Sequence, residues 1–564
     1  MHTRYLYLLL VISSLFCSPR ANAAGWSWAE GFGGKADETP GGIVKDAAGN
    51  IYMTGNFVSK TVSFGTYTLT NSDTSGGTSD VFLVKYDPSG TVMWARSAGG
   101  LSVDQGLSMA IDKAGHIYIA GLFTSASITF GTVTLNCASG NGDMFVFKLD
   151  SSGNGIWGAN TGSASAIAQA NAVAVDTSGN VYVAGIYETP TITFGTTTLT
   201  NAGSWPMNDV FLVKYGPTGS AVWARSIGGS NDEEVFTLST DPAGNVFIAG
   251  FFSTASLTIG TATLTNVGSS DIFLAKYDAA GTPGWARTWG GSNGEEVRAL
   301  KADDSGNVYM AGTFGSPTIT FGATTLTNLS TGVIPTDVYL VKVDASGNVV
   351  WTTGAGGTGM EMANSLVIDW LGNVLMGGYF FSTAVSFGTY TLTNTASSNM
   401  YITKYSPGGN VLWAVSGDAG STGVSAMTVG EPGNIYVAGT FSGTSCTLGS
   451  TTLPNLGIAS NSDMFLAKYR DSTVTTGTVT LSEDMTKVNV YPNPNNGKMT
   501  VSLGMSGCTS VAVYDIFGKI VYSRGITVTE KSISIDMENC ASGMYYLQAT
   551  TDGSVTKVPF VLTR

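Results

Sequence analysis

Apolar positions along most of the chain fall in short runs set between Gly-rich polar turns, and the runs differ in their periodicity. In Val181–Gly185, VYVAG, both alternating sets are apolar, Val181 and Val183 on one side and Tyr182 and Ala184 on the other. Such a strand is predicted to be buried on both faces, as in sheets stacked face to face. In Thr191–Phe194, TITF, Thr alternates with Ile and Phe, which predicts a hairpin strand with one side in water. DVFLVKY from Asp209 and the Trp strand AVWARSI from Ala221 complete the unit. Together with the strand that ends at Asp176, each unit yields four strands of one small twisted antiparallel sheet, plus the extra hairpin between the second and third.

The unit recurs. Its turn motif, DTSGNVYVAGIY at Asp176, returns at Asp46, Asp112, Asp241, Asp303, Asp369 and, with the Asp replaced, at Gly430, every 61 to 66 residues. A fixed period of this kind signals a repeat architecture. The phase of the two ends decides which. The array opens on a Trp strand, SWAEGFGG from Ser27, and stops after the third strand DMFLAKY from Asp463. Each end is an incomplete unit, and joined they complete one sheet, giving Trp28, Trp94, Trp157, Trp223, Trp285, Trp351 and Trp413 for seven turn motifs. A linear solenoid would carry capping units instead. The expectation is therefore an all-β chain built as a seven-bladed β-propeller over residues 24–470, closed by its N-terminal strand. Through the Asp-x-x-Gly-Asn-x-Tyr-x-Ala-Gly core and the Trp-Ala-Arg strand, the units resemble the bacterial SBBP family of β-propeller repeats, from about Trp26 to Tyr469. That resemblance implies a fold and no activity, since propellers host many functions.

Asp176-Thr177-Ser178-Gly179 has Asp at the first position of a type I turn and Gly where a left-handed residue is wanted, so turn chemistry accounts for the motif. Calcium is the rival reading, but one Asp per turn is too few oxygens. A second Asp opens the third strand at Asp80, Asp143, Asp209, Asp271, Asp337 and Asp463, with Asn399 breaking the series, and a Lys follows five residues later. Recurrence in every unit assigns these charges to strand ends and blade contacts. Function is expected where copies differ, which is most visible in the loops GGKADETP, GGSNDEEV, GGSNGEEV and GGTGMEMA. There Asp37, Glu38, Asp104, Glu233, Glu234, Glu295, Glu296 and Glu361 are expected either to form an acidic rim for a cation or basic ligand or to be plain solvated loop edges.

Composition narrows the chemistry. Only 12% of residues are charged and the net charge is −13, which disfavours nucleic-acid and anionic lipid partners. Residues 1–23, with Arg4, an apolar run from Tyr5 to Phe16 and Ala21-Asn22-Ala23, read as a secretory signal peptide and not as a span. Phe16 before Cys17 argues against a lipoprotein anchor, and a soluble mature protein without a transmembrane segment is expected. After cleavage His116 is the remaining histidine, and it occupies a slot that is Asn in the other units. Neither a Ser-His-Asp hydrolase nor a His-based zinc site can be built, so no catalytic residue, metal or cofactor is assigned. Paired carboxylates at a propeller mouth keep a glycosidase-like hydrolase as the alternative. Of the four later cysteines, Cys508 and Cys540 are the pair expected to form a disulfide, with Cys137 and Cys446 free and buried.

The repeat ends at Tyr469. A polar Thr/Ser-rich linker over 471–487 precedes a new strand pattern from Val488 to Arg564 with Gly turns, predicted to be a small β-sandwich. Tyr491-Pro492-Asn493-Pro494 with Asn496-Gly497, Gly518-Lys519, and Gly543 with Tyr545 resemble the type A sorting domain of the type IX secretion system. The resemblance implies the type IX machinery as a partner and a secreted or cell-surface destination, on the extracellular side of the outer membrane. The resulting expectation is a non-enzymatic surface propeller whose loops at one face bind a glycan or a protein, with a structural spacer as a further alternative.

Overall fold

The computed structural model describes residues 24–137, 140–162, 167–331, 336–417, 419–472, 488–492, 497–503, 508–515, 520–526, 531–537, 540, 543–551 and 555–562. The segment expected to be a signal peptide and nearly all of the expected linker lie outside them. The chain divides into two compact units, between Val474 and Thr475.

In the first unit six sheets share one order: innermost, second, third and outermost strand, all antiparallel. Glu233–Thr240, Val246–Phe252, Asp271–Tyr277 and Pro283–Trp289 are typical. Second and third strands are buried along their length, as their doubly apolar pattern requires. The extra hairpin, Thr191–Phe194 with Thr197–Thr200, buries Ile192 and Phe194 and leaves Thr191 exposed.

A seventh sheet joins the two ends of the array. Gly25–Phe32 is its outermost strand, paired with Asp463–Arg470 in the register Gly31 to Phe465 and Trp28 to Lys468, followed inward by Asn434–Leu448 and Ala419–Val429. Each innermost strand packs against the next, and Ala419–Val429 packs against Glu38–Lys45 of the first sheet. One apolar cluster crosses that seam, joining Phe32, Tyr436, Met464 and Leu466 to Ile43, Met53, Phe82 and Val84. Burying each such side chain is worth about 1.5–3 kcal/mol. Stacked antiparallel sheets of this order, repeated around a common axis, are a β-propeller.

The Trp strand explains its own sequence. Trp223 donates to Ala279 O of the next sheet (3.2 Å), Arg225 Nε donates to Gly281 O (2.8 Å), and the guanidinium stacks 5.4 Å from the Trp223 ring. Gly281 has φ +78°, and a Cβ there would stand 2.7 Å from Trp223. Lys214, the third-strand lysine, reaches the same Ala279 carbonyl (2.8 Å). In the sixth sheet Lys404 instead sits between Asp369 and Asp471, 2.8 Å from each, almost wholly buried.

The second unit has a three-stranded sheet, Val488–Tyr491, Lys498–Leu503 and Ser532–Asp536, and a four-stranded one, Cys508–Asp515, Ile520–Gly525, Gly543–Thr551 and Val555–Leu562. Val501, Ile533, Val511, Leu547 and Phe560 of the two sheets share one apolar cluster. The expected disulfide is not formed. Cys508 opens a strand of one sheet while Cys540 follows the last strand of the other, where it is a free thiol packed against the core. Cys446 is free and buried as expected, its thiol pushed up to about 12 by burial, whereas Cys137 is half-buried.

Candidate functional site

The two ends of each sheet are built differently. At one end, Asp176 Oδ1 accepts from the backbone N–H of Ser178 and Asn180 (2.9 Å each), and Oδ2 accepts from the Asn180 amide (2.7 Å). Ring closure by N–H donors is the turn chemistry expected of Asp-x-x-Gly-Asn, with Gly179 at φ +79°. His116 takes the Asn role, its Nδ1 2.8 Å from Asp112.

At the other end lie the carboxylates expected as a rim, and the structure separates them. Glu38, Asp104, Glu233, Glu295 and Glu361 are fully buried, so they are interior groups and not an exposed rim. Each opens an innermost strand and folds back over the preceding Gly-Gly. Gly34 N–H donates to Glu38 (3.0 Å), Gly100 N–H to Asp104 (2.8 Å), and Gly229 N–H to Glu233 (2.7 Å); Ser316 and Ser382 donate their hydroxyls to Glu295 and Glu361. Asp37 is exposed and accepts from Ser462 N–H (2.8 Å) across the seam. Of these carboxylates only Glu234 lines the central channel; Glu296, also half-buried, is held by Arg298, which lines it.

That channel holds about 670 Å³ and is lined by all seven innermost strands. Every one of these strands carries a β-bulge at the same place. The residue left out of the ladder is Gly41, Leu107, Asn171 or Phe236 in the first four sheets and Arg298, Asn364 or Ser425 in the others, and all line the channel. Bulges re-aim side chains and recur beside functional sites. Here they present seven positions that are nearly all different on a frame that hardly varies. Sequence reasoning missed them, although aligning the innermost strands, EVFTLST against EVRALKA and MANSLVI, shows the third residue changing most.

One sector of the wall is chemically rich. Arg298 lies 4.7 Å over the Phe236 ring and donates Nε–H to Glu296 (2.8 Å), while Phe236 and Phe251 stand 5.9 Å apart. Burial raises the Glu234 carboxyl above its ordinary range, helped by Asp232 and Glu296 and opposed by Arg298. Lys301 also lines the channel, its side chain exposed to the solvent there. Two acids and two cations make this sector mixed in charge and not an acidic basin. Asn171 and Asn364 donate to Val235 O and Val424 O of neighbouring sheets (2.8 Å each), satisfying carbonyls beside the bulges. Among the described residues no group of three or more His, Cys, Asp or Glu is placed to hold a metal ion. The face onto which this sector opens carries exposed apolar loop residues: Leu101, Trp205, Val267, Leu329, Leu456 and Ile458.

In the C-terminal unit Tyr491 is exposed, Gly497 has φ +108° and its carbonyl accepts from Met537 N–H (2.6 Å), and buried Tyr545 stacks on Phe560 at 5.8 Å. Gly543 opens the strand that carries Tyr545. Pro492 lies at the described edge, while Asn493, Pro494, Asn496, Gly518 and Lys519 fall outside the described residues.

Comparison with known proteins adds the following. The chain is 25% identical over 441 residues to an uncharacterized WD repeat-containing protein of Acanthamoeba polyphaga mimivirus, covering 65% of this chain and 32% of that protein. It is 26% identical over 260 residues to the regulatory protein FlaEY of Caulobacter vibrioides, covering 43% and 27%. The chain thus spans under a third of the length of these relatives. Over 72 residues it is 36% identical to the ulvan lyase NLR42 of Nonlabens ulvanivorans, 13% of each. Among solved structures it is similar to the Pan2 WD40 domain of Neurospora crassa, at 8% identity and TM-score 0.34 over 77% of this chain and 89% of that one. It is also similar to YCF48 bound to D1 peptide, at 11% identity and TM-score 0.32 over 64% and 90%. The fold assignment rests on strand order and register. Residues 489–562 match the family model described as a secretion system C-terminal sorting domain, and the protein carrying it is exported by type IX secretion to the cell surface or the extracellular space.

Proposed function

We propose that this is a seven-bladed propeller of SBBP-type units, followed by a small sorting sandwich, that serves outside the cell as a non-enzymatic binding scaffold. Its ligand, a glycan or a protein, is held where the channel opens onto the loop-bearing face. One observation carries the reading: the blade-to-blade contacts repeat almost unchanged, while the bulge residues and the loops of one face differ from blade to blade. A frame that repeats around a mouth that varies fits recognition of one ligand by unlike groups. The Phe236, Phe251, Glu296 and Arg298 sector offers an aromatic face beside a charged pair, suited to stacking and bidentate hydrogen bonding.

The test is a glycan and protein binding screen with the purified chain, followed by titration of any hit against Arg298→Ala and Phe236→Ala. Weakening by tenfold or more, with unchanged thermal unfolding, supports the reading. A hit indifferent to both variants moves the site elsewhere, and no hit at all favours a structural spacer. A second reading is favoured by Glu234, a raised carboxyl beside Glu296, which is the arrangement of a general acid and a carboxylate partner. It requires a glycan to be cleaved by the wild-type chain and not by Glu234→Gln.

A further inference from the structure

The buried carboxyls at the Gly-Gly end come in pairs, each pair bridging two blades. Asp463 and Glu38, Asp80 and Asp104, Asp209 and Glu233, Asp271 and Glu295, and Asp337 and Glu361 act on one another, the first of each pair opening a third strand and the second opening the next blade's innermost strand. The five Asp partners share one bonding pattern. Oδ2 accepts a loop N–H, from Ser72 (2.9 Å), Ala202 (2.8 Å), Val267 (3.1 Å), Leu329 (2.8 Å) or Leu456 (2.6 Å). Oδ1 of the same five is buried with no hydrogen-bond donor.

The glycines show where those orphan oxygens point. A Cβ on Gly99 would stand 2.2 Å from Asp80 Oδ1 and 3.0 Å from Asp104 Oδ2, so both carboxyls crowd one spot above the first Gly of the pair. Gly33, Gly228, Gly290 and Gly356 meet their Asp at about the same distance. Two junctions provide an internal contrast. Where Ala168 stands in place of the Glu, Asn160 and Thr161, at the positions held elsewhere by Ser226 and Ile227 before the first Gly, donate to both oxygens of Asp143 (2.9 and 2.7 Å). Where Asn399 replaces the Asp, Thr422 replaces the Glu. A neutral donor set thus appears wherever the carboxyl pair does not.

Two buried carboxylates side by side without a cation are too costly to keep both charges. We infer that five blade junctions are proton-binding sites, in each of which one proton is shared between the Asp of one blade and the Glu or Asp of the next, supplying the donor that the orphan oxygen lacks. A metal ion is the less fitting occupant, because backbone N–H groups point at the same carboxyls and repel a cation. The other groups acting on the pairs are Asp73 at Asp80, Asp232 at Glu233, Tyr187 at Asp209, Tyr339 at Glu295 and Tyr401 at Glu361. Among the described residues no Lys, Arg or His is in an ion pair with any of the ten. Burial, first, and then the neighbouring carboxylate push Glu361 up to about 7; Glu38 and Glu233 also reach about 7, and Asp209 and Asp337 about 6.

Because the folded values lie above the unfolded ones, the folded chain holds protons that the unfolded chain has lost. The contribution is therefore fully present below about pH 4, and it is lost as pH rises through about 7. The test is thermal unfolding of the full chain between pH 5 and pH 8, with proton release on unfolding measured at pH 6. The propeller transition is expected to fall on going to pH 8. Glu233→Gln and Glu361→Gln, whose amides supply the missing donor permanently, are expected to unfold later than wild type at pH 8 and to release up to about one proton fewer each at pH 6. Should a Gln variant fail to fold, Asp209→Asn makes the same change from the other side of the pair. The proposal is overturned if unfolding of wild type does not fall with pH, if the amide variants fall equally, or if calcium raises the pH 8 transition of wild type and not of Glu233→Gln.

Discussion

The two ends of each blade use the same residue, Asp, to opposite effect. At the turn end Thr282 N–H donors hold Asp278 below its ordinary range, and Asn348 does the same for Asp344. At the Gly-Gly end burial pushes Asp209 and Asp337 up to about 6. The difference is what surrounds the carboxyl: a tight exposed turn brings two backbone N–H groups to one oxygen of Asp278 or Asp344, whereas a blade junction offers a donor to one oxygen and another acid beside the other. Charge alone therefore says little about the role of a repeated Asp; the donors around it decide.

The comparison breaks most severely where a carboxylate depends on a single cation. Lys404→Met leaves Asp369 and Asp471 buried without their ammonium, and unfolding free energy is expected to drop by about 3–5 kcal/mol, read from urea denaturation. Next is Gly290→Ala, whose Cβ would stand 2.0 Å from Asp271; overpacking there is expected to cost about 2–3 kcal/mol in the same measurement. At the turn end, Asp176→Ala removes the acceptor for three N–H groups and is expected to cost about 1–3 kcal/mol. The third-strand turns at the same end carry the opposite pH signature. The lowered Asp278 and Asp344 contribute stability that is present above their unfolded value of 3.8 and lost as pH falls through their folded values, so acid titration loosens the turn end while alkali loosens the other. Smallest for stability is Arg298→Ala at the channel, expected to change unfolding by no more than about 0.5 kcal/mol while abolishing most ligand binding.

Much of this frame is legible in the sequence because its signals are local. Val181 and Tyr182 reveal a strand buried on both faces, and the unmatched phases of Trp28 and Phe465 foretell that their strands pair. The candidate site is less legible. Glu233 sits in a polar stretch, SNDEE, that reads as solvated, yet Thr254 just after the next strand and Asp209 of the preceding blade close over it; the clue is the preceding Gly228-Gly229, which admits Asp209 and supplies an N–H to Glu233. The bulge at Phe236 has no Gly or Pro to mark it, since the carbonyl beside it, Val235 O, is satisfied by Asn171 of a different blade. The cysteine pairing failed for a related reason: proximity within one segment does not place Cys508 and Cys540 on one sheet.

The pairing of Gly25–Phe32 with Asp463–Arg470 sets an order of events in folding. The two strands meet only by closing a loop of more than four hundred residues, so the edge of the seventh sheet is expected to stay open until the sheets between them have formed.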